Sequence, residues 1–417
     1  MHLRLESKIA KLVTFVVVGL LLTPYCMVAW SRYHASSFAA GVDRDSLERA
    51  VQLQPGDAAY QERLARYYLF VEQDAPSALV HYRMAAAMNS YSARSWLGIA
   101  QAQLILGNTN SALNAIDRAL DVDPHTPSVA WEAGNLLVTM GQVPRALQEF
   151  QYTLANDPTM VGQGLQLIRR LESPAEAAKI ALPPDPPIFI SLINMLLLSK
   201  DINGAQQVWR ELIALHKPFD PKLSYYYIWN LISAGEFDAA TQAWSDLEKA
   251  SPEVARLRQK NNLILNPSFE YPVLNGGFEW LLPGTAAPDP LLQTDISDTH
   301  EGKRSLMATF DGTRASQLGI RQLLLLDPNS QYRFTGYIMA DLETANGLRF
   351  VIIDAKTGQR LLQTDDVIDG KRWIPLTGEF RTGAERHLSV FSIERSGNTL
   401  VRGTAWIDDL QLVKEPQ

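Results

Sequence analysis

The chain is 417 residues long, with 46% hydrophobic and 20% charged residues, so it has material for folded cores and too much length for one of them. A formal net charge of −7 and a pI near 5.6 remove the electrostatic reason to expect a nucleic-acid partner, which asks for clustered Lys and Arg. The single cysteine, Cys26, excludes intrachain disulfides and cysteine-rich metal sites.

Residues 12–30, LVTFVVVGLLLTPYCMVAW, form a run of 19 without a charge. As a helix it is long enough to cross roughly 30 Å of hydrocarbon. Arg4, Lys8 and Lys11 precede it and only Arg32 follows closely. This bias predicts a basic cytoplasmic tail at 1–11, an inner (plasma) membrane anchor at 12–30, and a periplasmic or extracellular remainder. A cleaved signal peptide is the competing reading, with 12–22 as its apolar region and small residues following at 35–40. Continuation of the apolar run to Trp30, an interfacial type of ring, favours the uncleaved anchor. Pro24 is tolerable in such a helix, and Cys26 reads as a membrane-buried thiol.

A helical repeat domain is predicted over 43–255. The segment DRDSLERAVQLQ at 43–54 supplies a leading helix, and from Asp57 a period of 34 sets in: Gly107 with Gly141, Ala112 with Ala146, Asp123 with Asp157, Pro124 with Pro158. Small residues at Ala78, Ala112 and Ala146 let paired helices approach, Gly107 and Gly141 serve the turn within a pair, and Asp-Pro ends each second helix. YSARSWLGIAQAQLILGNTNSALNAIDRALDVDP and the segment after it resemble tetratricopeptide repeats. The repeat before them departs from the pattern at Gln73 and Ser90. LPPDPP at 182–187 interrupts the series, and two degenerate repeats follow it, the second recovering Gly235, Ala240 and Pro252. The resemblance implies a concave surface that docks a protein partner. Trp96, Trp131, Tyr225 to Tyr227, Trp229 and Trp244 could line such a groove, although rings at helical spacing more often fill the core.

Beyond Asn262 the period falls to two. LILNPSFEYP at 263–272 reads as a short apolar strand entering an Asn-Pro turn, and SLMATF, YRFTGYIMA, LRFVIID, IPLTGEF, HLSVFSIE and TAWIDDLQLV alternate between turn signals. An antiparallel β-sandwich is predicted over 262–417, making the whole chain a multidomain α + β protein. NPSFE at 266–270, Trp280, EGKRSLMATF at 301–310, the strand 331–340, Trp373 and WIDDLQLV at 406–413 occur in the order seen in family 4 and 9 carbohydrate-binding modules and the wider galactose-binding-like jelly rolls, which this segment resembles.

That resemblance implies a structural calcium held by Glu270 and Asp408, with backbone oxygens near Ser268 and Lys303; the alternative is that both carboxylates accept hydrogen bonds at strand ends. Asp409 is expected on the opposite face by alternation. It also implies a glycan on exposed rings: Tyr271, Trp280 and Trp373 are the candidate carbohydrate-binding residues, Phe278 is a further available ring, and Asn275, Gln317, Asp341 and Arg349 are the polar candidates.

No G-x-S-x-G, H-E-x-x-H or phosphate loop is present, and the seven histidines show no ligand spacing. No catalytic residue is assigned. The expectation is a non-catalytic, membrane-anchored envelope scaffold whose repeats dock a protein and whose sandwich binds glycan, in the manner of polysaccharide assembly or export components, periplasmic and tied to exopolysaccharide. A protein-interaction assembly factor whose sandwich binds no carbohydrate is the alternative.

Overall fold

The computed structural model describes residues 8–283, 290–314 and 317–416; most of the predicted basic tail lies outside them. The chain divides into two compact units, Met1–Pro183 and Pro184–Gln417, within the proline-rich break.

The first unit opens with α1 (Lys8–Ala39), of which Lys11–Ala39 is long and apolar enough to cross a membrane. This helix does not stop at Trp30. It runs on without a break, and Ala35 and Ala39 bury themselves where it packs on α2 (Arg44–Leu53). α2 starts where predicted because the Asp43 carboxylate accepts the Ser46 N–H at 2.9 Å, satisfying a donor that the first turn leaves open.

Three helical hairpins follow: α3 (Ala58–Phe70) with α4 (Ala75–Met88), α5 (Ala93–Ile105) with α6 (Thr109–Val122), and α7 (Pro127–Thr139) with α8 (Val143–Asn156). α9 (Val161–Leu171) and α10 (Pro174–Ile180) close the unit. Ala78, Ala112 and Ala146 have no exposed surface, as the predicted close approach requires. The turn inside each hairpin needs one residue in the left-handed region. Gly107 (φ 79°) and Gly141 (φ 72°) supply it, whereas Gln73 (φ 57°) occupies the equivalent place with a side chain.

The second unit contains two more hairpins, α11 (Pro186–Leu198) with α12 (Ile202–Ala214) and α13 (Tyr225–Ser233) with α14 (Phe237–Ala250), then the short α15 (Pro252–Ala255). Tyr227 and Trp244 are core, while Tyr226 and Trp229 are exposed.

Among the described residues the strands of the sandwich are β1 (Leu291–Asp295), β2 (Ser305–Thr313), β3 (Gln317–Leu325), β4 (Gln331–Glu343), β5 (Leu348–Asp354), β6 (Arg360–Gln363), β7 (Asp369–Arg381), β8 (Leu388–Arg395) and β9 (Val401–Lys414). They pair antiparallel in two sheets, ordered β1-β2-β9-β4-β7 and β3-β8-β5-β6. The inward positions of alternate residues fill the space between them: Phe334, Phe350 and Phe391 are fully buried, with ring centroids 5.1–5.9 Å apart.

The stretch 263–272 is not the expected strand. It makes one isolated bridge, Arg258 to Leu265, and its backbone turns through the left-handed region at Asn266 (φ 48°) and Phe269 (φ 53°). Side chains and single amides hold it instead: Leu263 N–H donates to Leu412 O at 2.9 Å, and Gln322 Oε1 accepts Leu265 N–H at 2.8 Å. The turn after it docks on the last helical hairpin, where Gly277 (φ 61°) is so close that a β-carbon would stand 2.2 Å from the Trp244 ring. Phe278 meets the edge of the same ring, with centroids 6.1 Å apart.

Candidate functional site

Two sheets give two outer faces, and the expected site residues distribute unequally over them. Trp280 is on neither. It has no exposed surface, stacks on Phe269 at 5.2 Å, and donates its indole N–H to Asn266 O at 3.1 Å. A ring in that position is core and cannot stack on a sugar, which corrects the expectation for Trp280. Tyr271 is half-buried beneath Arg256, whose guanidinium carbon lies 4.8 Å from the ring centre. Phe278 is buried against Trp244, so it too is no platform. Asn275 accepts the Leu282 N–H, Arg349 faces Asp366 and Glu394 on the four-stranded sheet, and the side chain of Gln317 lies outside the described residues.

Trp373 is different. It is half-buried beside β7's irregular start on the outer side of the five-stranded sheet, and its ring stands at 69° to His300 with centroids 5.8 Å apart. His300 in turn stacks on Tyr337 at 3.6 Å. Strand register extends this group into a row. Gln293 on β1 pairs with Met307 on β2, Met307 with Trp406 on β9, and Trp406 with Met339 on β4. Met307, Met339, Tyr337 and Trp406 alternate with buried neighbours such as Ala308, Ile338, Ala340 and Ile407, and are themselves half-exposed. Asp341 is exposed two positions beyond Met339 on β4.

Carboxylates border the row. Asp295 accepts the Trp406 indole N–H at 2.7 Å, and the hydroxyl of Ser297, with that indole, holds the Asp295 carboxyl down to about 2. Asp409 Oδ2 lies 3.4 Å from His300 Nδ1. Asp409 reaches this side because β9 bulges where Thr335 pairs with Gln411 and Tyr337 with Asp408. Its φ of 48° breaks the alternation that predicted the opposite face. The arrangement offers flat, partly apolar surfaces with fixed acceptors at their margins, chemistry suited to stacking and hydroxyl binding.

The proposed calcium pair supports this face from below. Asp408 has no exposed surface; burial pushes its carboxyl above the ordinary range, and it accepts N–H bonds from His300 (2.8 Å), Glu301 (3.1 Å) and Asp409 (2.7 Å). Glu270 Oε1 accepts those of Lys303 (2.6 Å) and Arg304 (2.9 Å). The amides of one turn, 300–304, therefore point their nitrogens at both carboxylates, where calcium would require six to eight oxygens. Among the described residues no group of three or more Asp, Glu, His or Cys could hold a metal. This donor set fits an amide clasp and does not fit a calcium cage.

Residues 97–161 match the tetratricopeptide repeat family model. No curated protein matches the chain in sequence. Solved structures similar to it include the xylan-binding CBM22-1 domain of Paenibacillus barcinonensis Xyn10C, at 18% identity over 36% of this chain and 91% of that one, with a TM-score of 0.26. A family 4 carbohydrate-binding module aligns at 15% identity over 36% of this chain and 99% of its own, with a TM-score of 0.29. MamA aligns at 11% identity over 41% and 85%, with a TM-score of 0.27. The neighbours of the C-terminal sheet region are thus carbohydrate-binding-module jelly rolls, although TM-scores this low add nothing to what its own strand order establishes.

Proposed function

We propose that the chain is a non-catalytic scaffold anchored in a membrane by α1, in which the repeats dock a partner protein and the outer face of the five-stranded sheet binds glycan. The observation that carries the glycan half is the row Met307, Trp406 and Met339 continued by Tyr337, His300 and Trp373, half-exposed where a fold without a ligand would favour polar residues. Packing supports retention of the anchor. Cleavage within 35–40 would cut a helix whose Ala35 and Ala39 are buried, and would detach the segment that α2 packs on. The compartment is then the side opposite the basic tail, and a place in polysaccharide assembly or export suits a glycan-holding scaffold there.

The alternative is a protein-only assembly factor. Exposed Val71 and Ile105, one repeat apart at the far ends of α3 and α5, favour it, because with the neighbouring exposed Phe70 and Leu106 they leave apolar surface for a partner. A glycan array probed with the detergent-solubilised full chain separates the two. Binding that is lost in Trp373→Ala and in Trp406→Ala, with melting unchanged, supports the glycan face. Binding that survives both substitutions removes the assignment of this face, and no binding by the folded chain leaves the protein-only scaffold.

A further inference from the structure

The junction between α1 and the repeats fixes where the first repeats stand relative to a bilayer. The uncharged run ends at Trp30, and at about 1.5 Å per residue all of 12–30 is needed to span roughly 30 Å of hydrocarbon. Trp30 and Tyr33 are 60% and 70% exposed on the helix, as rings at a membrane interface would be. Ser31, the very next residue, accepts a hydrogen bond from Gln54 Nε2 at 2.7 Å and donates one to Leu53 O at 2.8 Å. The end of α2 is thus tied to the level at which the apolar run stops. Between these ties and the turn at 40–43, α1 and α2 run side by side as a short antiparallel pair, with the Arg49 guanidinium 5.6 Å from the centre of the Phe38 ring. No flexible linker intervenes.

The same edge recurs in the next hairpin. α3 starts from the turn after α2, α4 returns to it, and α5 starts there again: the Glu62 carboxylate, one turn into α3, accepts from the hydroxyls of Ser92 (3.4 Å) and Ser95 (3.2 Å) at the start of α5. Two connecting turns therefore share the level of Ser31, Gln54-Pro55-Gly56-Asp57 and Asn89-Ser90-Tyr91-Ser92. They carry one charge between them, and Tyr91 is 78% exposed.

We propose that these two turns form a membrane-apposed edge, lying in the lipid headgroup layer with Tyr91 as an interfacial ring, so that the first repeats are held rigidly against the bilayer. The partner is the lipid surface itself, recognised through neutral polar turns and one aromatic ring rather than through basic charge. This rests on the reading of α1 as a retained anchor.

The test uses the full chain carrying Cys26→Ser, reconstituted in phosphatidylcholine vesicles, with one thiol at a time introduced by Gly56→Cys, Ser90→Cys or Ile105→Cys and labelled with a fluorophore. Gly56 has open space around it and Ile105, at the far end of α5, is exposed, so neither label disturbs packing. Lipids bearing a nitroxide in the headgroup region should quench the labels at 56 and 90 several-fold more than that at 105. Equal, weak quenching at all three in chains that float with the vesicles overturns the apposed edge while leaving the anchor standing. Chains that do not float overturn the anchor and the edge together. Tyr91→Ser should reduce quenching at position 90; a label there that is strongly quenched with or without the ring refutes the part assigned to Tyr91.

Discussion

Gln73 holds a left-handed backbone that the neighbouring repeats assign to glycine, and its side chain pays for this with steric crowding against its own carbonyl. Gln73→Gly should stabilise the first unit by roughly 1 kcal/mol, read as a shifted urea midpoint at constant slope. The reverse change, Gly107→Gln, should destabilise it by a similar amount. Glu279 is a second residue at odds with its surroundings. It is fully buried, accepts amide bonds from Leu274 at 2.8 Å and Asn275 at 3.3 Å, and burial raises its carboxyl to about 7. The folded state therefore keeps a proton that the unfolded chain releases near its ordinary value of 4.5. Stability from this group is complete below that value and falls as pH rises toward 7, by up to about 3 kcal/mol. Glu279→Gln should flatten this decline; chemical denaturation at pH 4.5 and 7.5 of both proteins measures it, and an unchanged decline removes Glu279 as its source.

Among elements, the turn 300–304 connects residue chemistry to the candidate face. Asp408 on β9 and Glu270 in the opening segment hold its amides, and the turn in turn delivers His300 onto Tyr337. Glu270→Ala should destabilise the sandwich by about 2 kcal/mol, since two amides lose a charged acceptor. Because those amides already occupy the carboxylates, adding calcium or a chelator should leave the melting temperature of the natural chain unchanged. A calcium-dependent rise would reinstate the ion. This clasp explains what could be read ahead. The strands whose two faces differ, β2, β4, β7, β8 and β9, announce themselves by alternation, and Trp373 could be named on one of them. β1 and β6 are short, with little buried surface. β3 hides its alternation only at its end, where Leu323 to Leu326 are all apolar because they line a hollow of about 310 Å³ with Trp244 on α14. Trp406 was legible in principle as the outward position between Ala405 and Ile407. His300 was not, because it owes its place to an acceptor 108 residues away.

For the whole molecule, the change of period at Asn262 and the boundary of the compact units at Pro183 and Pro184 are different places, and the difference has consequences for folding. The sandwich does not end at its strands: the turn 274–279 seats Gly276 against Tyr225 and Gly277 against Trp244, Phe278 caps the same ring, and Arg386 pairs with Asp238 on α14. Residues 184–417 should therefore unfold in one cooperative transition, distinct from that of the first unit. A fragment of 262–417, cut at the change of period, would strip Phe278, Leu265 and the Leu323 to Leu326 edge of the helix that covers them. Exposing that apolar surface removes on the order of 5 kcal/mol, comparable with the whole stability of a small domain. The shorter fragment should bind a hydrophobic dye and melt broadly where the longer one does neither. Equal, sharp melting of the two would mean that α13 and α14 merely rest on a self-sufficient sandwich. The outcome expected here instead makes the last helical hairpin part of the structure that presents the candidate glycan face.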